Sequence, residues 1–168
     1  FVFGNHRSHG HYLSMTDDVH KLFAETLGKK TGSSKGMGGS MHVIAREEGF
    51  HGSVPIVSAT IPVAVGAALT AKLKNTDSLA VTYFGDGTTE EGVFHESLNL
   101  ASFYKLPILF VCENNLFSSH MHINERQPAD SVARFASSHN IKSITIDGND
   151  INSVFRTAEK AIKELRKG

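Results

Sequence analysis

The sequence predicts a doubly wound α/β fold, a mostly parallel sheet with helices on both faces, and three observations carry that prediction. Residues 79–84 and 107–112 are continuous apolar runs rich in β-branched and aromatic side chains, and residues 90–104 between them place apolar side chains at helical spacing. Both runs are apolar throughout rather than alternating, the pattern of strands buried on two faces, so the unit reads as parallel strands joined by a right-handed crossover. A third strand, expected at residues 141–146, follows a helical pattern at 130–138 and precedes an amphipathic one at 150–166, which continues the alternation of strand and helix.

The earlier elements follow in order. Residues 17–27 place Val19, Leu22, Phe23 and Leu27 on one helical face, with acids at the start and Gly28 as a C-terminal stop. Gly32, Gly36, Gly38 and Gly39 then fall within eight residues, which forbids a helix. Lys, Met and His are interleaved with these glycines through His42, which favours a functional or structurally constrained loop over a flexible linker. Pro62 opens a thin helix to Leu73 with small residues at 64, 67, 68 and 71, suited to close packing against a sheet. No repeat of solenoid period and no low-complexity tract interrupts the pattern.

Composition bounds the use of such a fold. A chain of 168 residues, 40% hydrophobic and 20% charged, supports one core, so residues 1–168 read as a single domain. Seventeen Lys and Arg balance seventeen Asp and Glu, which argues against a general nucleic-acid binder and against a polybasic membrane-surface protein. No run approaches the roughly 18 apolar residues of a membrane span, and no charged-then-apolar signal segment opens the chain. The lone cysteine, Cys112, lies in an apolar run and reads as a buried structural thiol. These features predict a soluble intracellular protein. The chain opens on Phe1-Val2-Phe3 and stops directly after a charged helical pattern, so it reads as part of a longer polypeptide.

In open α/β sheets ligands sit beyond the carboxyl ends of the strands, which makes the turns after the apolar runs the first candidates. One run ends in Gly85-Asp86-Gly87-Thr88-Thr89 and the next in Glu113-Asn114-Asn115-Leu116-Phe117. If the strands are neighbours, Asp86 and Asn115 emerge side by side. Glycines flanking Asp86 allow the backbone to approach a bulky anion, and the next helix N-terminus offers N–H groups to phosphate oxygens. Mg²⁺ takes oxygen ligands octahedrally, with one or two from protein side chains. The Asp86 carboxylate, the Asn115 amide oxygen and a carbonyl near Phe117 meet that need. The plainer alternative is a pair of ordinary turns with a solvated aspartate.

Other polar residues carry less. His120 and His122 stand close together, yet no set of His and Cys112 has the spacing of a zinc site. The remaining histidines outside the N-terminal segment, His11, His20, His51, His95 and His139, read as surface or packing residues. Glu90, Glu91 and Glu96 sit where acids meet a helix dipole and need no catalytic role. No Gly-x-Gly-x-x-Gly follows a strand, which argues against a dinucleotide site.

Gly85-Asp86-Gly87, 26 intervening residues and Asn114-Asn115 resemble the thiamine diphosphate-binding motif in order and gap. The likeness extends to His6-Arg7-Ser8-His9-Gly10 and to residues 32–42, 54–68 and 84–127. Together these segments resemble the alpha subunit of the first component of 2-oxo acid dehydrogenase complexes, of the pyruvate, acetoin and branched-chain type. Members of that family run to roughly twice this length. The resemblance implies thiamine diphosphate and Mg²⁺ as cofactors and a beta subunit, with both subunits in a heterotetramer. It also implies a lipoyl-bearing acyltransferase component that receives the acyl group from a small 2-oxo acid or from acetoin.

Carried over residue by residue, the family's Tyr-Arg pair at the diphosphate falls on His6 and Arg7. Arg7 implies a charge-assisted phosphate contact, and His6 departs from Tyr while keeping one donor. The Gly-Ile-Val segment that supports the coenzyme rings falls on Pro55, Ile56 and Val57, where Pro55 lacks an amide N–H. The resemblance makes Asp86 and Asn115 side-chain metal ligands and the Phe117 carbonyl a third, with Gly87 and Thr88 amides on the diphosphate. His9 matches the Arg-x-His-Gly element near the coenzyme entrance, either acting on substrate or holding structure through a hydrogen bond. In the family the glutamate that activates the coenzyme belongs to the beta partner, and a further alpha-chain histidine lies beyond residue 168. Two other readings stay open: a transketolase-like or acyloin-forming enzyme, and a non-catalytic assembly subunit of the same fold.

Overall fold

The computed structural model describes residues 1–167. Its main sheet is parallel, with β1 (Val2–Gly4), β2 (Phe50–Ser53), β3 (Ala80–Gly85) and β4 (Ile108–Glu113) in the spatial order β2-β1-β3-β4. Between β1 and β2 lie α1 (His9–Thr16), α2 (Val19–Thr26) and the glycine-rich loop. Helix α3 (Thr60–Leu73) leads to β3, and a 3₁₀ turn, Asp86–Glu90, followed by α4 (Gly92–Phe103) leads to β4. After β4 come an antiparallel hairpin, β5 (Phe117–Ser118) and β6 (Met121–His122), and then α5 (Ile123–Arg126), α6 (Ala133–Ser138) and α7 (Ile151–Leu165).

The predicted doubly wound α/β class is therefore present, and β3 shows how its two faces are used. Ala80, Thr82 and Phe84 point to one side and are buried. There Ala80 packs in a cluster with Ala64, Val65 and Ala68 of α3 and Ala101 of α4, while Phe84 packs with Ile61, Phe94 and Leu98. Val81 and Tyr83 point to the other side and are half-buried, with the His11 ring of α1 stacked on Tyr83 at 4.2 Å. Buried Ala64, Ala68 and Ala71 form one stripe of α3, so its small residues serve core packing.

Three expectations are corrected. Residues 141–146 form no strand: Ile144 and Ile146 stay exposed, and Ile141 alone packs against the cluster around Phe84. With two of three isoleucines in water, burial offers too little to hold that segment in the sheet. Helix α2 is turned relative to its predicted apolar face, because Val19, Phe23 and Leu27 are exposed while Leu22 and Glu25 are buried. Hydrogen bonds to the Glu25 carboxylate account for that rotation. Finally, the helix expected from residue 90 is delayed by the 3₁₀ turn, and its first residues become part of a polar cluster. The predicted stop at Gly28 holds, with φ of 67° just past the end of α2.

Candidate functional site

The sheet order brings all of the sequence-predicted segments to one edge. In a parallel sheet every strand ends on the same side, so β2 delivers Ile56 and Val57, β1 delivers His6 and Arg7, β3 delivers Asp86 and β4 delivers Asn115. Gly85 pairs opposite Glu113, which confirms that the strands bearing Asp86 and Asn115 are neighbours. From β1 the chain moves to β2 on one side, and from β3 it moves to β4 on the other. The order therefore reverses between β1 and β3, the place where open α/β sheets form a binding crevice. His6-Arg7-Ser8 and Asp86-Gly87-Thr88 flank that position. Two open concavities of about 410 and 450 Å³ lie elsewhere, against α1 and α2 and beside β2 and the start of α3, and neither includes Asp86 or Asn115.

Asp86 is 1% exposed and its carboxylate is unevenly satisfied. Arg126 Nη2 donates to Oδ2, while Oδ1 is buried without a hydrogen-bond partner. A buried anionic oxygen in that state is costly unless a cation or donor meets it, so the residues present fit a small hard cation. Among the described residues no cluster of three or more His, Cys, Asp or Glu could hold a metal ion, so a cation at Asp86 would need Asn oxygens, carbonyls or oxygens of a bound molecule to complete its ligands. Asn115 Oδ1 accepts from the Phe117 N–H at 2.9 Å and keeps a second lone pair. That contact fixes the turn carrying the Phe117 carbonyl, with Leu116 at φ 69° between them.

Gly87 has a neighbour that sequence reasoning missed. A Cβ on it would lie 2.4 Å from Ser118 Oγ, so its missing side chain admits the β5 hairpin. Nothing lies within 4 Å of a Cβ on Gly85. Thr88 is buried, and Thr89 Oγ1 donates to the Asp86 carbonyl at 2.7 Å. His6 and Arg7 are exposed, as are the Ile56 and Val57 side chains at 67% and 45%. The turn carrying these last two is tight, with Ser58 at φ 65°.

His9 has a structural partner, since Nε2 donates to the Ser40 carbonyl at 2.8 Å and lies 3.2 Å from Ser40 Oγ. Ser40 belongs to the glycine-rich loop, which is ordered around Glu25. This carboxylate is 0% exposed and accepts the N–H groups of Ser34, Gly36, Gly38 and Gly39 at 2.6 to 3.2 Å. Burial opposes its charge, and the four donors outweigh that and hold its pKa below the usual value. A Cβ at Gly32, Gly36 or Gly38 would come within 2.6 Å of another atom, so the glycines serve the close wrap. The constrained reading of this loop is correct.

One further pair of residues had little signal in the sequence. Arg126 and Gln127 are some forty residues from Asp86 and are brought to it by the hairpin and α5. His11, predicted to be a packing residue, does stack on Tyr83 and also approaches Glu113 at 3.3 Å. Cys112 packs in the cluster around Phe84, where burial, followed by the charges of Asp86 and Glu113, pushes its pKa up to about 12. His122 caps α5 by accepting from the Asn124 N–H, which gives it a structural use.

A sequence model of the family described as dehydrogenase E1 component matches residues 1–168. The alpha subunit of acetoin:2,6-dichlorophenolindophenol oxidoreductase from Bacillus subtilis (strain 168) is 41% identical over 167 residues, covering 99% of this chain and 50% of that protein. The alpha subunits of the pyruvate dehydrogenase E1 component from Porphyra purpurea and Rhizobium meliloti (strain 1021) are 38% and 32% identical, over 100% and 99% of this chain and 51% and 48% of theirs. The chain thus spans about half the length of the curated relatives it matches. The parallel sheet, the reversal of strand order and the neighbouring Asp and Asn turns accompany a match along the whole sequence, and the chain belongs to the dehydrogenase E1 component family.

Proposed function

We propose that this chain is the diphosphate- and metal-binding part of an alpha subunit whose holoenzyme oxidises acetoin or a small 2-oxo acid and passes the acyl group to a lipoyl group. The observation that carries the reading is the buried, unpartnered Asp86 Oδ1 at the sheet edge where Arg7, Asn115 and Ile56 also emerge. Acetoin is the first donor to try, because the 41% identical relative is named for it; pyruvate comes next from the names of the others.

Thiamine diphosphate, when bound, supplies the carbanion chemistry. The residues of this chain hold and orient. Asp86 and Asn115 offer oxygens to Mg²⁺ beside the Phe117 carbonyl, and the Gly87 and Thr88 N–H groups with Arg7 neutralise the diphosphate. His6 supplies one further donor. Ile56 and Val57 present exposed apolar surface suited to the flat face of a heteroaromatic ring. His9, held by Ser40 through Nε2, keeps Nδ1 as the atom that could hold a proton near substrate. A beta subunit in a heterotetramer completes the catalytic set, and a lipoyl-bearing acyltransferase takes the product. The expected compartment is a bacterial cytoplasm or a mitochondrial matrix; among the described residues no helix is long and apolar enough to cross a membrane.

The test uses the full-length protein with its co-purifying subunit. Dye reduction is followed with acetoin, pyruvate and branched-chain 2-oxo acids, with and without thiamine diphosphate and Mg²⁺. Activity that needs both and selects one donor is the expected result. Coenzyme binding without dye reduction by any donor would move the reading to carboligation, and no coenzyme binding at all would make this an assembly subunit.

A further inference from the structure

Arg126 is the one cation that touches the Asp86 carboxylate among the described residues, and its contacts reach further than charge balance requires. Its side chain is 6% exposed. Through Nη2 it donates to Asp86 Oδ2 and through Nη1 to Glu90 Oε1, the two ends of the 3₁₀ turn. Through Nε it donates to the Met121 carbonyl at 3.2 Å. Met121 pairs with Ser118 across the hairpin, next to Phe117. One planar fork therefore ties the turn that carries Asp86 to the hairpin that carries Phe117. Gln127 reinforces the clamp, donating to Glu90 Oε1 at 2.8 Å and Thr89 Oγ1 at 3.1 Å, and is itself held by Arg134 at 2.7 Å.

We propose that Arg126 is a positioning residue of the cation site: it grips Asp86 by Oδ2, leaves Oδ1 as the donor oxygen, and sets the distance from that oxygen to the Phe117 carbonyl. The proposal rests on the metal reading given above and deepens it. Partners that orient a metal-binding carboxylate are typically worth 10- to 100-fold in metal affinity. Guanidinium suits this task because its donors lie in a fixed plane, whereas an ammonium would supply charge without direction.

A simple charge argument makes the opposite prediction, which is what gives the test its force. Asp86, Glu90 and Arg126 together carry one net negative charge; removing the guanidinium leaves two and should draw a divalent cation more tightly. Positioning predicts weaker binding in spite of that. Arg126→Lys separates the two effects again, because it keeps the charge and loses the fork.

The experiment titrates Mn²⁺ into the full-length protein with its partner subunit at fixed thiamine diphosphate, reading free Mn²⁺ by electron paramagnetic resonance. Parent, Arg126→Met, Arg126→Lys and Asp86→Ala are compared, and metal-free melting is recorded for each. Expected are a weakening of about 10- to 100-fold for both Arg126 variants and loss of saturable binding for Asp86→Ala. Unchanged or tighter Mn²⁺ binding by Arg126→Met, with binding lost in Asp86→Ala, overturns the positioning role while leaving the metal reading intact. Parent-like binding by Asp86→Ala overturns the metal reading and this proposal with it. A lower metal-free melting temperature with unchanged Mn²⁺ affinity in the folded protein also overturns the proposal, since it marks a purely structural ion pair. If Arg126→Met fails to assemble, the lysine variant decides alone.

Discussion

Two turns of this protein are each built around a buried carboxylate, and they use it in opposite ways. Glu25 accepts four backbone N–H groups shared between its two oxygens, and the loop around it is closed. Asp86 is as deeply buried, yet one oxygen takes a guanidinium and the other takes nothing. The first carboxylate has spent its acceptor capacity on the fold, and the second has kept part of it for something else. The difference teaches that burial of an acid does not mark a site; the count of its satisfied lone pairs does.

Matched isosteric substitutions are the strongest way to break that contrast. Asp86→Asn should abolish saturable Mn²⁺-dependent coenzyme binding in the assembled protein and move metal-free melting less than Glu25→Gln does. The reverse order of melting shifts would erase the distinction. Glu25→Gln comes next in size. It sets an amide NH₂ against backbone donors in a fully buried position and should cost about 2 kcal/mol of stability while leaving Mn²⁺ affinity in the folded protein unchanged.

The pH dependence of that loss sharpens the comparison. The folded-state pKa of Glu25 is lowered, so its contribution is present above the ordinary value of 4.5 and is lost as pH falls through the lower folded value. Urea unfolding of parent and Glu25→Gln should therefore differ at pH 7 and converge below pH 4.5; a constant difference would show that the carboxylate charge is not what holds the loop. The glycines give the last comparison. At Gly36, φ is 78° and a Cβ would meet Gly28 backbone at 2.5 Å, whereas at Gly39 φ is 59° with nothing within 4 Å. Gly36→Ala should cost about 2 kcal/mol and Gly39→Ala about 1 kcal/mol, by urea unfolding. Equal costs would mean that conformation rather than close approach makes these glycines necessary.

The same contrast explains what could be read in advance. Residues 79–84 and 107–112 announce β3 and β4 because central strands buried in a parallel sheet must be apolar along their length. With those strands placed, Asp86 and Asn115 follow as their carboxyl ends, so the centre of the candidate site was legible. β1 and β2 were not, being three and four residues long, with Phe-His-Gly-Ser in β2 carrying no β-branched residue. They are strands because neighbours supply the ladder. The 141–146 segment erred the other way, with three isoleucines at strand-like positions but no partner strand. Glu25 could have been suspected from the glycines, since a backbone that concentrates N–H groups needs an anion. Arg126 had no local signal, because its meaning depends on a hairpin that folds back over the β3 turn.

The order β2-β1-β3-β4 also sets the timetable of synthesis. Of the four strands of this sheet β1 is made before the others, yet it is an inner strand, and its pairing partners come later: Val2 and Phe3 pair with residues 50 and 52 on one side and with 81 and 82 on the other. Until residue 82 has emerged, the growing polypeptide carries an unpaired segment, while α1, α2 and the Glu25 loop can form from neighbouring residues alone. Folding of the sheet is therefore governed by long-range closure rather than by local propensity. The nascent chain has to be kept from pairing with other molecules for as long as it takes to translate about eighty residues.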